Sequence, residues 1–229
     1  MKKPLIILNL KAYKEAFDEG LEILNVVENV AHEFPQISFV LAPNAFCLSE
    51  FSKKKRLVKI YSQHVDPVPL GAYTGHLPLE AIKILGADGT IINHSERPIS
   101  IEAISQIIDK SRSLGIETLA CARDLKEVSK IAALRPDYVA FEPPELIGTG
   151  VSVSKAKPND LKMSVVSIVQ ESDGKSIPIC GAGISTEEDV KLAFSYGVMG
   201  VLISSAFVKA SDKRNKLFEF ASAVESAFF

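Results

Sequence analysis

Cysteine is scarce in this chain and charge of either sign is never in excess, and each shortage excludes something. Only Cys47, Cys121 and Cys180 occur, far apart and odd in number. That argues against a disulfide framework and suits a reducing compartment. The 26 basic and 28 acidic residues leave a formal charge of −2, so no broad basic field for nucleic acid is implied. The cluster Lys53-Lys54-Lys55-Arg56 is short and isolated, and reads as a solvated helix end. Long apolar runs are missing as well. Leu5-Ile6-Ile7-Leu8 is too short for a signal-peptide core or a membrane span. A soluble cytoplasmic protein is therefore expected, with no membrane and no nucleic-acid partner.

Several motifs are also absent. There is no HExxH, no CxxC and no carboxylate cluster, so a metal site is not expected. No G-x-S-x-G nucleophile setting occurs. The first strand-like run ends in Asn9-Leu10-Lys11 and lacks the G-x-G-x-x-G that opens a dinucleotide-binding doubly wound sheet. No Pro/Gly/Ser-rich linker or low-complexity block divides the chain.

What is present is a repeated alternation. Apolar runs fall at Leu5–Asn9, Ser38–Ala42, Val58–His64, Gly89–His94, Glu117–Cys121, Tyr138–Glu142, Pro178–Gly181 and Gly200–Ser204. Most lack period-2 alternation, as strands covered on both faces do. Between them lie segments of helical spacing, such as Leu21, Leu24, Val27, Val30 and Ala31, or Ile101, Ile104, Ile107 and Ile108. The segment Arg123–Pro136 leaves room for only a small helix. The mean repeat of roughly 28 residues is the size of one strand plus one crossover helix. Eight such units in 229 residues predict an α/β fold, a closed (β/α)8 barrel forming one domain over residues 1–229.

In such a barrel the reactive centre lies at the C-terminal ends of the strands. Run 1 ends in Asn9 and Lys11, run 4 in Asn93-His94-Ser95, and run 6 in Glu142. Run 7 leads into Gly181-Ala182-Gly183-Ile184-Ser185, and run 8 ends in Ser204-Ser205. Taken singly, each has a structural use: Lys11 as a rim lysine, His94 as a hydrogen-bonded core histidine, the glycines as turn residues, the serines as helix caps. Their placement at one end of every strand is what argues for a site. A carboxylate, an imidazole and a lysine suit proton transfer beside a carbonyl: Glu142 takes the proton, a neutral His94 donates to the developing enediolate, and Lys11 stabilises its charge. Ser95-Glu96-Arg97 reads as a helix start, with Ser95 capping and the helix N-terminus keeping His94 neutral. The glycines after run 7 and the serines after run 8 suit a phosphate. After Glu142, Pro143 and Pro144 stiffen the exit from the strand, while Ile147-Gly148-Thr149-Gly150 is small and mobile. A stiff start and a flexible end is how a lid would be built, with hinges near Glu142–Pro143 and Ser154-Lys155-Ala156.

These residues carry a resemblance. Asn9-Leu10-Lys11, Gln63-His64-Val65-Asp66, Gly71-Ala72-Tyr73-Thr74-Gly75-His76, Asn93-His94-Ser95-Glu96-Arg97, Phe141-Glu142-Pro143-Pro144 through Gly150, and Cys180-Gly181-Ala182-Gly183-Ile184-Ser185 together resemble the triosephosphate isomerase family, in its short archaeal type, over essentially the whole chain. The resemblance implies interconversion of dihydroxyacetone phosphate and D-glyceraldehyde 3-phosphate, in glycolysis or gluconeogenesis, without a cofactor. It implies Glu142 as base, His94 as electrophile and Lys11 at the substrate charge, with Asn9 holding substrate. It further implies phosphate binding at Ile147, Gly148, Gly183, Ser204 and Ser205. Also implied is a homo-oligomer, dimer or tetramer, in which the Gly71–His76 loop reaches a neighbouring copy and Thr74 lies near the partner subunit's Lys11. Three residues depart from the common pattern. Ser204-Ser205 stands where many members have two glycines or Ala-Ser. Pro98 replaces a common arginine and is expected in a first helical turn. The lid tryptophan of longer members is missing. The competing readings are another sugar-phosphate barrel isomerase and a non-catalytic phosphate-binding barrel.

Overall fold

The computed structural model describes residues 3–229. Eight parallel strands close into a barrel in chain order, each hydrogen-bonded to the next and β8 to β1. They are β1 (Leu5–Asn9), β2 (Ser38–Ala42), β3 (Lys59–Ser62), β4 (Gly89–Ile92), β5 (Glu117–Ala122), β6 (Tyr138–Phe141), β7 (Ile177–Cys180) and β8 (Gly200–Ile203). The helices are α1 (Lys14–Asp18), α2 (Gly20–Glu33), α3 (Leu48–Lys54), α4 (Leu79–Ile84), α5 (Ile101–Leu114), α6 (Leu125–Ala133), α7 (Val153–Ala156), α8 (Pro158–Glu171), α9 (Glu187–Ser195), α10 (Ser205–Val208) and α11 (Lys213–Phe228). The register is closed from Leu5 opposite Ser38 of β2 on one side to Leu5 opposite Gly200 of β8 on the other.

Burial explains the uninterrupted apolar runs. All five residues of β1 are buried: Leu5 and Ile7 belong to the barrel interior with Val40, Ile91 and Leu119, while Ile6 and Leu8 pack outward under the helices. Both faces of every strand are thus removed from water, which is why period 2 fails as a signal. Tyr61 fills the interior, and it does so because residue 89 on the neighbouring strand is glycine. A Cβ there would come within 2.5 Å of the Tyr61 ring. At the bottom of the barrel Tyr61 donates to Glu117, which also accepts from Lys59 Nζ at 2.7 and 2.8 Å. One buried carboxylate ties a helix to a strand start: Glu28 of α2 accepts from the Arg56 and Leu57 N–H groups at 2.7 and 2.8 Å. The basic cluster is, as expected, the end of α3, with Lys54 paired to Glu50 at 3.2 Å. Lys55 departs from that reading by turning inward to Asp88.

Two expectations about the β4 exit are corrected. The strand stops at Ile92, because Asn93 turns into the left-handed region at φ +56°. Nor does a helix start at Ser95. Residues 95–97 form a turn, closed by Arg97 N–H donating to His94 O at 2.8 Å. The helix α5 begins at Ile101 with Ser100 as its cap, accepting from Ala103 N–H at 3.2 Å. Pro98 accordingly lies in the connecting segment and not in a helical turn. Ser95 is followed too soon by a proline, which disfavours helix at the residue before it.

Candidate active site

Asn9 ends β1 almost fully buried. Its Oδ1 accepts from the Lys11 N–H at 3.0 Å, and this local bond holds Lys11 at φ +47°, a conformation few non-glycine residues adopt. Gln63 Nε2 supports the same turn by donating to Lys11 O at 3.1 Å and Ala42 O at 2.9 Å. The Lys11 ammonium pairs with Glu96 Oε1 at 2.7 Å.

From β4, Asn93 acts as an anchor. Its Nδ2 donates to Cys121 O at 2.8 Å and to Glu127 Oε1 at 3.2 Å, and its Oδ1 accepts from Ile99 N–H at 3.0 Å. That fixes the backbone from which His94 projects. His94 Nδ1 accepts from the Glu96 N–H at 3.1 Å, so the ring proton of the neutral imidazole sits on Nε2. The expected helix terminus behind the histidine does not exist; a single turn amide sets the tautomer instead.

Nε2 faces Glu142 Oε1 at 3.8 Å. Glu142 leaves β6 with its N–H donating to Ala122 O at 2.8 Å and is 2% exposed. Burial pushes its carboxyl above the ordinary carboxylate range; His94, the Cys121 thiol and Lys11 pull the other way without offsetting it. Oε2 has no hydrogen-bond partner among the described residues, so one oxygen of the acid is free. The space for this side chain exists only because residue 181 is glycine: a Cβ there would overlap Glu142 Cγ.

The segment after Glu142 passes through a short 3-10 turn at Pro144–Leu146 and then bends at Gly148 and Gly150, both at φ +74°. It docks on the loop after β7. The Ser185 hydroxyl has two acceptors in reach, Gly150 O at 3.2 Å and Asp189 Oδ2 at 3.1 Å, and Val153 N–H donates to Ala182 O at 3.2 Å. Gly183, at φ +72°, lies so close that a Cβ would overlap the Val151 carbonyl. Thr186 caps α9 by accepting from the Asp189 N–H, and the Asp189 carboxylate reaches back to anchor the same loop, accepting from Ser185 N–H at 3.0 Å.

All nine residues expected at a site line one cavity of roughly 420 Å³: Asn9, Lys11, His94, Glu142, Ile147, Gly148, Gly183, Ser204 and Ser205. Ser204 precedes α10 without capping it, and its Oγ is buried with no partner among the described residues. The sequence reading missed Tyr13 and Lys209, which also line the cavity, and it missed that the Cys121 thiol sits beside Glu142. Tyr13 lies two residues beyond Lys11 and Lys209 four beyond Ser205, so distance along the chain from an expected residue was the available signal. Among the described residues no group of His, Cys, Asp and Glu is arranged to hold a metal ion.

A model of the triosephosphate isomerase family matches residues 4–226. The chain belongs to the triosephosphate isomerase family. Among curated relatives, it is 42% identical over 222 residues to the triosephosphate isomerase of Caldivirga maquilingensis, covering 96% of this chain and 97% of the relative. It is 42% identical over 209 residues to that of Methanocaldococcus jannaschii (91% and 94%), and 41% over 228 residues to that of Pyrobaculum islandicum (99% and 98%). With the closed barrel, this makes the chain an aldose–ketose isomerase that interconverts dihydroxyacetone phosphate and D-glyceraldehyde 3-phosphate, and sets aside the larger-sugar and non-catalytic readings.

Proposed function

We propose that this isomerisation runs on Glu142, His94 and Lys11, with Asn9 holding the substrate and the phosphate seated against Ile147, Gly148, Gly183, Ser204 and Ser205. The observation that carries the assignment is the facing pair: a buried carboxylate with one free oxygen, 3.8 Å from an imidazole nitrogen whose proton is fixed by a backbone amide. Glu142 removes a proton from the carbon next to the carbonyl. His94 Nε2–H donates to the carbonyl oxygen as it becomes an enediolate, and the Lys11 ammonium stabilises that negative charge. Glu142 then returns the proton to the neighbouring carbon, so no atom is gained or lost and no cofactor takes part. Burial of Glu142 suits the task, because a carboxylate deprived of water is a stronger base.

The lid from Pro143 to Gly150 excludes water from the enediolate, and its docking on Ser185 and Gly183 supports that reading. The orphan Ser204 hydroxyl gives the two serines a use at the phosphate, as donors where glycine offers only a backbone N–H. The chain works as a single domain over residues 1–229, the first two of which lie outside the described residues. It is cytoplasmic and homo-oligomeric, with Gly71–His76 at the interface. Three free cysteines and the want of any helix among the described residues long and apolar enough to cross a membrane are compatible with that location. The loop is exposed throughout and carries Tyr73, stacked edge-on against His76 at 5.9 Å between centroids.

A coupled assay of the purified protein with D-glyceraldehyde 3-phosphate tests the activity, and Glu142→Asp tests the base. The shortened acid lowers turnover by roughly 10²-fold or more with little change in substrate affinity, because a longer reach penalises the transition state more than the ground state. Parental turnover in Glu142→Asp would move the base elsewhere.

A further inference from the structure

Three of the titratable groups around the cavity are accounted for by partners. Lys11 is paired with Glu96 at 2.7 Å, and His94 and Glu142 face one another. Lys209 is different. It lines the same cavity next to the Ser204-Ser205 turn, its side chain is exposed, and no carboxylate lies within 4.0 Å of its ammonium among the described residues. Its contact is instead the face of Tyr13, 4.5 Å from Nζ to the ring centroid. An aromatic face holds a cation by its quadrupole without cancelling its charge, so the ammonium is kept at the cavity mouth with its positive field intact.

We propose that Lys209 is the substrate-capture residue for the phosphate dianion, and that Tyr13 is the positioning residue that holds its ammonium over the entrance. This rests on the reading above that the cavity is where triose phosphate reacts. A phosphate monoester carries close to two negative charges at neutral pH, while the whole chain carries −2. The molecule as a whole therefore repels its substrate, and a local unpaired cation must supply the attraction. An exposed cation acts chiefly on encounter and on binding, and its effect is screened by salt. It lies apart from the carbon that loses its proton, so it leaves the chemical step alone. A lysine paired with a neighbouring carboxylate exerts a weaker field at long range, so Lys11, paired with Glu96, acts chiefly at short range on the reacting oxygens.

The experiment compares the parent with Lys209→Met, Lys209→Arg and Tyr13→Leu in steady-state isomerisation of D-glyceraldehyde 3-phosphate across ionic strength. Unphosphorylated glyceraldehyde serves as an uncharged control substrate, and inorganic phosphate as a competitive inhibitor. Lys209→Met is expected to lower kcat/KM by roughly 3- to 10-fold at low salt, mostly through KM, and to flatten the fall of log kcat/KM with ionic strength. The inhibition constant for phosphate rises by a similar factor, and activity on unphosphorylated glyceraldehyde stays unchanged. Lys209→Arg restores the parental salt dependence, and Tyr13→Leu produces part of the Lys209→Met effect with the same substrate selectivity. Equal loss on the charged and uncharged substrates, or an unchanged salt dependence in a folded Lys209→Met protein, overturns the inference and leaves Lys209 a structural contact of Tyr13. If the parent itself fails to isomerise the triose phosphate, the assignment of the cavity falls first and this inference with it.

Discussion

At the scale of single residues, the site depends on one acid kept in an unfavourable place. Glu142 is buried, its carboxyl lies above the ordinary carboxylate range, and one oxygen lacks a partner. With Glu142 as the base we propose, the acidic limb of kcat/KM for the free enzyme is expected above the usual range of a carboxylate, since a base must be ionised to work. The same shift has a stability sign. Its folded-state pKa exceeds its unfolded value, so the folded state holds this proton more tightly. Stability from the protonated form is complete below the unfolded pKa and is lost as pH rises through the folded one. Glu142→Gln should consequently lose roughly 10²- to 10⁴-fold in turnover and yet melt at a higher temperature than the parent at neutral pH. That advantage should shrink at acidic pH. Thermal unfolding at two pH values checks it; an advantage independent of pH would mean that the charge is not what burial penalises. Gly181→Ala is the complementary case. Its Cβ would displace Glu142, and an ångström-scale shift of the base costs about 10² in rate. The backbone bond from Gly181 N–H to Phe141 O, at 3.1 Å, needs no change. Normal kcat in a folded Gly181→Ala would show that the acid tolerates another position. That Lys11, His94 and Glu142 gather at one cavity was legible in the sequence, because each stands at or just beyond the end of an apolar run. The need for Gly181 and the anchoring by Asn93 were not, because both are contacts between strands distant along the chain.

At the scale of elements, strand positions were legible to within a residue or two, since apolar runs mark them. Their ends were less so. The β4 exit reads as strand and then helix, whereas Asn93 at φ +56° and the Glu96 turn intervene before α5. A left-handed asparagine leaves no mark in hydrophobic pattern. It does leave an energetic one. Asn93 joins β4 to Cys121 of β5, to Ile99 ahead of α5 and to Glu127 of α6. Asn93→Ala strands the Ile99 N–H and the Cys121 carbonyl, and should cost about 3 kcal/mol in denaturant unfolding; a loss well below 1 kcal/mol would mean that water replaces both bonds. The lid is the second element with a testable geometry. Its docked position needs Gly183 both for φ +72° and for space beside Val151 O. In Gly183→Ala the lid cannot seat, so affinity for a phosphate-bearing inhibitor should fall roughly 10-fold or more while the barrel melts nearly as before. Ser185→Ala removes the hydroxyl shared between the lid carbonyl of Gly150 and the Asp189 carboxylate and should do the same more weakly.

At the scale of the whole molecule, closure was legible from two signs together: eight strand–helix units, enough to complete a barrel, and no G-x-G-x-x-G after the first run to mark the doubly wound sheet, the other fold that buries both faces of parallel strands. The surface is harder to read, since an apolar residue in a loop looks the same in sequence whether it packs inward or faces out. The fold turns Phe46 outward at 90% exposure, with Leu70 at 53% and Tyr73 at 42%. Phe46 borders a cavity that also contains Gly75, Lys11, His94 and Glu96, and Leu70 and Tyr73 lie in or next to the Gly71–His76 loop. A large apolar side chain left in water beside the Lys11 turn is explained by a second copy that covers it. The protein should therefore sediment as a dimer or larger across micromolar concentrations. Phe46→Glu, which places a charge where the partner must dehydrate it, should shift it toward monomer. Monomer formation should also depress kcat/KM, because the turn holding Lys11 loses the cover on its outer side. Sedimentation velocity and isomerase assays at matched concentrations test both statements. A Phe46→Glu monomer with full activity would separate assembly from catalysis, and a parent that is itself an active monomer would remove the interface altogether.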